Sequence, residues 1–129
     1  MAMPINLKTV LNGTGQTTPL YSEDGICVSN ANGLAAAGTT TSDATVMSAM
    51  FNEFTTVGSN AGGRFTARPA GSISYVQNRT ATALKVYPPT GGSINGATVN
   101  EAYSVASGVG AAFFAITSSN LASLKGAAG

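Results

Sequence analysis

Hydrophobic and polar positions alternate most clearly between Ser72 and Tyr87. Successive side chains of a strand point to opposite sides. Over Ser72 to Asn78 this puts Ile73, Tyr75 and Gln77 on one face and Ser74, Val76 and Asn78 on the other. Over Thr82 to Tyr87, Leu84 and Val86 oppose Lys85 and Tyr87, with Asn78-Arg79-Thr80 as the turn between the two patterns. Pro88-Pro89 removes two backbone donors and ends the second strand. Thr90-Gly91-Gly92 turns the chain, and Asn95-Gly96 is a tight-turn signal because both residues tolerate positive φ. Arg64-Phe65-Thr66 reads as a short strand stopped by Pro69. Ala102 to Ala106 and Ala111 to Thr117 read as two more, joined by Ser107-Gly108-Val109-Gly110. Strands recurring about every ten residues predict a mainly β fold: an antiparallel sandwich, a jelly roll or a small barrel. The tail from Leu121 to Gly129 is expected to cap the sheet through Leu121 and Leu124.

The first third of the chain lacks that alternation. Leu7, Val10 and Leu11 form at most a short element, broken by Asn12-Gly13-Thr14-Gly15. Leu20-Tyr21 and Ile26-Cys27-Val28 flank the turn sequence Ser22-Glu23-Asp24-Gly25, which predicts a β-hairpin. Asn30 to Ser42 is a run of small residues that bury little area, so a loop or extended arm is expected. Val46, Met47, Met50, Phe51 and Phe54 repeat with a helical period behind Ser42 or Asp43 as N-cap. Thr45, Val46, Phe51, Phe54, Thr55, Thr56 and Val57 are equally good strand formers, so the pattern leaves 43–57 open. Gly58 to Gly63 reads as a turn. The expected organisation is an irregular N-terminal arm over 1–42, with a possible hairpin, and a β domain over 43–129.

Charge is scarce. Only 9% of the 129 residues are charged, against about 25% in an ordinary soluble domain. A surface covered by copies of itself or by another protein has less need of charge than a solvated monomer. Net charge is +1, and Arg64 and Arg68 are the nearest approach to a cation cluster, which argues against a nucleic-acid partner. No secretory leader and no apolar run near the ~20 residues of a membrane span are visible, so no membrane partner is expected. Cys27 is the sole cysteine and reads as a small buried apolar residue.

Chemistry is hard to find. With no histidine, the commonest general base and metal ligand are both missing. Asp43, Glu53 and Glu101 are the possible members of a two-carboxylate pair, but each lies among residues that read as exposed. Asn12-Gly13-Thr14-Gly15 and Gly108-Val109-Gly110 complete no phosphate-binding motif. Asn78-Arg79-Thr80 matches a glycosylation sequon and reads as an ordinary turn. The expectation is a protein that is not an enzyme, with no catalytic residues, no metal and no cofactor. Tyr75, Tyr87, Tyr103, Phe113 and Phe114 are the candidates for core packing or a subunit interface.

From about Ser42 to Thr117 the chain resembles small virion structural proteins of tailed bacteriophages, of the head-decoration (cement) or fibre-associated kind. Phe51-Asn52-Glu53-Phe54-Thr55-Thr56-Val57 resembles the group's N-x-V-T-T-V strand, and Pro69-Ala70-Gly71 through Val76-Gln77-Asn78 its P-x-x-G…V-x-N step. Leu84 to Gly96 resembles its L-x-V-Y-P-x-x-G-x-x-I-N-G core. The chain departs from that pattern at Phe65-Thr66-Ala67-Arg68-Pro69, where Leu-Pro is expected after Arg64, and at Asn120 to Leu124, where a Trp-containing strand is expected. The resemblance tips 43–57 toward strand and implies no catalytic residue. It implies a homotrimer on the outer surface of a capsid, made in the host cytoplasm, with the major capsid protein as partner. A fibre- or tailspike-associated module binding a host surface glycan is the alternative.

Overall fold

The computed structural model describes residues 21–22, 25–26 and 29–125. Among these are eleven strands and no helix. They are β1 (Tyr21–Ser22), β2 (Gly25–Ile26), β3 (Asn30–Ala35), β4 (Thr45–Met47), β5 (Phe51–Thr56), β6 (Gly62–Phe65), β7 (Ile73–Asn78), β8 (Leu84–Tyr87), β9 (Tyr103–Val105), β10 (Gly110–Ala115) and β11 (Leu121–Lys125). The segment that the pattern left open between helix and strand is strand, split into β4 and β5. Its β-branched and aromatic residues suit a pleated surface better than a helix turn.

β1 and β2 pair antiparallel, Tyr21 with Ile26 and Ser22 with Gly25, as the hairpin reading expected. The remaining strands build a five-stranded sheet in the order β11-β10-β7-β5-β3 and a four-stranded sheet in the order β4-β6-β8-β9. From β3 to β8 the chain changes sheet at every step. Odd strands add parallel to one sheet, β3 beside β5 beside β7, and even strands add parallel to the other, β4 beside β6 beside β8. The result is three coils wound through both layers, closed off by an antiparallel end: β9 on β8, β10 on β7 and β11 on β10.

The mainly β sandwich read from the sequence is therefore the fold, with two corrections. The sheets are mixed rather than purely antiparallel, and they do not close into a barrel. Connections such as 57–61 and 79–83 have the length and turn residues of hairpin loops. Here they arch between layers, so the next strand lands on the opposite sheet. Two smaller expectations also change. Asn30–Ala35, read as loop or arm, is an edge strand of the five-stranded sheet. Backbone bonds to β5 hold it despite its small side chains, through an irregular register around Gly33 and Leu34. Gly62 and Gly63, read as turn, open β6. A Cβ on Gly63 would come within 2.6 Å of the Phe54 ring, so a side chain is excluded there by packing.

The core lies between the sheets. Met47 and Phe65 from one layer meet Phe54, Val76 and Phe113 from the other. Phe65 and Phe113 stack edge to face across the layers at 5.1 Å, and Tyr103 meets Phe113 at 5.5 Å. β7 turns Ser74, Val76 and Asn78 inward, so two polar side chains are fully buried there. Asn78 is satisfied. Its amide nitrogen donates toward the carbonyls of Thr82 (2.8 Å), Val105 (3.1 Å) and Ala106 (3.1 Å), and its oxygen accepts from the Thr80 N–H and hydroxyl. It thereby ties the β7–β8 arch to the end of β9.

Candidate interaction surface

The inward face of β7 is set by Ser74, Val76 and Asn78, so Ile73, Tyr75 and Gln77 must point away from the core. Register carries that face across four of the sheet's five strands. Phe51 stands beside Tyr75, Tyr75 beside Ala112, and Ala112 beside Leu124, one residue from each of β5, β7, β10 and β11. Ile73, Phe114 and Ala122 form the next row. Phe51 and Tyr75 are each 39% exposed, Leu124 is 61% exposed, and Ile116, just beyond the end of β10, is 62% exposed. Aromatic and aliphatic side chains of this size are normally buried.

The relief of this face is uneven. Phe51 and Tyr75 stand together as a ridge, ring centroids 6.4 Å apart. Beside them Gly110 and Ala112 floor a depression of about 350 Å³ bounded on its far side by Leu124. Glu53 and Gln77 continue the face beyond the ridge, and Glu53 pairs with Arg79 at 3.1 Å.

The sheet edges offer less. β3 is kinked by its irregular register, and β4 and β9 are three residues each. β11 is covered along its outer side by Ser93 to Asn95. Leu121 N–H donates to the Ser93 carbonyl at 2.9 Å, Asn95 N–H donates to the Leu121 carbonyl at 2.8 Å, and Ser123 N–H donates to Asn95 Oδ1 at 2.9 Å. Short, bulged or covered edges discourage pairing with a further strand. Leu121 is buried, but Leu124 does not cap the sheet as expected. β11 extends the sheet, and strand alternation turns Leu124 outward.

The five aromatic candidates separate. Phe113 and Tyr87 are buried, and Tyr103 packs edge-on against Phe113. Tyr87, 4% exposed, donates its hydroxyl to the Thr39 carbonyl at 2.5 Å. Burial, then the negative charge of Asp43, raises its pKa. Tyr75 and Phe114 belong to the outer face. Sequence reasoning missed Phe51 and assigned Leu124 to a cap. Strand alternation gives the direction of each, but only register puts both in line with Tyr75.

The carboxylates are used locally. Asp43 Oδ1 accepts from the Thr39 N–H (3.1 Å), the Thr40 N–H (2.7 Å) and the Thr40 hydroxyl (2.7 Å), and these bonds, the hydroxyl's first, lower its pKa. Glu101 accepts from the Thr98 N–H at 3.0 Å. Among the described residues no three His, Cys, Asp or Glu side chains gather as a metal site. Arg68 is half-buried. It donates through Nη2 to the carbonyls of Met47 (2.9 Å) and Ala49 (3.0 Å) and lies over the Phe65 ring, so it clamps the β4–β5 connection. Cys27 and the Glu23-Asp24 turn lie outside the described residues. No protein-family model, curated protein or solved structure matches the chain.

Proposed function

We propose that the protein is a non-enzymatic structural protein of a virion, a decoration (cement) protein that stabilises an assembled shell by bridging its subunits. The observation that carries the assembling part is the outer face of the five-stranded sheet, with apolar side chains in register across four strands. Such a face favours association, because removing apolar area from water is worth roughly 25 cal/mol per Å². The virion part rests on the resemblance of Leu84 to Gly96. That stretch comprises β8, the buried Pro88-Pro89, and the Asn95-Gly96 turn whose Asn95 covers the β11 edge.

A cement protein binds the assembled lattice and not the free subunits, so it stabilises the shell by mass action. Several weak contacts made by one oligomer add through effective concentration. Low charge fits broad apolar and hydrogen-bonded contacts better than electrostatic capture. The test is to heat shells prepared with and without the protein. A rise in disruption temperature and co-sedimentation with shells are expected; unchanged stability together with no binding would discard the reading.

A further inference from the structure

We propose that two copies of this chain meet through the outer face of the five-stranded sheet, related by a two-fold axis that seats Tyr75 of each over Ala112 in the trough of the other, with Phe51 against Leu124 at its rim. The proposal deepens the assembling part of the function above by naming the occupant of that face, and puts a pair in place of the homotrimer that the resemblance implies.

Ridge and trough lie side by side on one face, in the row Phe51, Tyr75, Ala112, Leu124. A two-fold axis lying in the interface, parallel to the strands and through the middle of that row, reverses its order in the partner, so Tyr75 of each copy faces the small Ala112 of the other and Phe51 faces Leu124 at the rim of the trough. Flat apolar patches do not choose a partner, whereas alternation of large and small positions lets two surfaces interdigitate. An isologous interface needs this self-complementarity, in which the contact made by one position is returned by its symmetry mate. Gly110 keeps the trough floor low, and a Cβ there would already press on the Gln77 side chain at 2.7 Å.

Charge and area agree. Glu53 and Arg79 lie to one side of the row with opposite signs. The same two-fold keeps the partner's pair on that side of the row but carries it from the β5–β7 end to the β10–β11 end, so the two pairs do not lie over each other. Five strands spaced ~4.8 Å apart and six residues rising ~3.3 Å each give a footprint of about 24 by 20 Å. Two such footprints amount to about 1,000 Å², the lower limit for a specific interface. Protected edges leave the face as the route, since strand addition at β3 or β11 is hindered.

Sedimentation equilibrium on the full chain tests this. The expected result is a mass twice the 12.8 kDa of one chain at micromolar concentration. Ala112→Phe, which fills the trough, and Leu124→Lys, which places a charge at its rim, should each weaken the pair at least tenfold. Val46→Lys, an exposed site on the other sheet, should leave it unchanged, with circular dichroism confirming that all three fold. A monomer up to about 100 μM, the mass of three chains, or a pair indifferent to both face variants would each overturn the proposal. Running the shell-binding assay on the same samples separates the two readings. A pair that ignores shells supports the two-fold and removes the cement function. A monomer that protects shells does the reverse.

Discussion

Asn78 occupies a core position that alternation alone would give to a valine, and it holds that place because every polar atom it buries is met. Replacing it with alanine leaves the carbonyls of Thr82, Val105 and Ala106 without its donor. Asn78→Ala is expected to cost about 2–4 kcal/mol in denaturant unfolding, since buried groups lose their partners and a cavity opens. Ser74 gives the opposite case. Its hydroxyl is buried with no hydrogen-bond partner among the described residues. Ser74→Ala is therefore expected to be neutral or stabilising, within about 1 kcal/mol in the same measurement. Gly63 sets the third residue-scale expectation. Gly63→Ala drives a methyl into Phe54 and Met47 and should destabilise by about 1–3 kcal/mol, the usual cost of overpacking. Sequence reading put Ser74 and Asn78 on one face of β7 together with Val76. It could not say that this was the inner face, because Ile73 and Tyr75 made the opposite face look the more apolar.

Elements add what single residues do not show. The loop from Thr39 to Asp43 lies against β8 through one bond, Tyr87 hydroxyl to Thr39 carbonyl. Tyr87 has its pKa raised, so the folded state holds the phenol proton more tightly than the unfolded chain. Its contribution is complete below the ordinary tyrosine value of 10.0 and is lost as pH climbs through the raised folded value. Asp43 has the opposite sign. Its lowered pKa gives a contribution present above the ordinary 3.8 and lost as pH falls through the folded value. An NMR titration should find Asp43 ionising below, and Tyr87 above, their ordinary values, and Thr40→Val should move Asp43 back toward 3.8 by removing its largest cause. The Ser93–Asn95 segment makes a second element-scale case. Asn95 sits at φ 57 in the turn and covers the β11 edge with its side chain. Asn95→Ala loses both roles and should increase concentration-dependent aggregation, read by light scattering, as the edge opens.

At the scale of the whole molecule, the coil is the feature that organises the face. Parallel addition of β3, β5 and β7 aligns residues from distant segments, so Phe51 and Tyr75 meet as neighbours, and the antiparallel end then brings in Ala112 and Leu124. A pair formed through that face stabilises the folded chain by mass action, so the thermal midpoint should rise with protein concentration in the wild type but not in Leu124→Lys. Strand identity was legible throughout 72–117. Alternation over Ser72 to Asn78, the Pro88-Pro89 stop and the Asn95-Gly96 turn each depend on local chemistry, namely pleat, missing donors and positive φ. The scarcity of charge was legible too, and with it the expectation of an interacting surface. Asn30–Ala35 was not legible as a strand, since its place depends on backbone bonds to β5 rather than on its own side chains. Nor was the mixed topology, because a five-residue loop reads the same whether it returns to its own sheet or crosses to the other. Short strands and a charge-poor surface thus follow from local sequence, because both are properties of neighbouring residues and of composition. Which strands pair, which face is buried and which four residues line the exposed row were decided only by the tertiary structure, because each depends on the register between segments far apart in the chain.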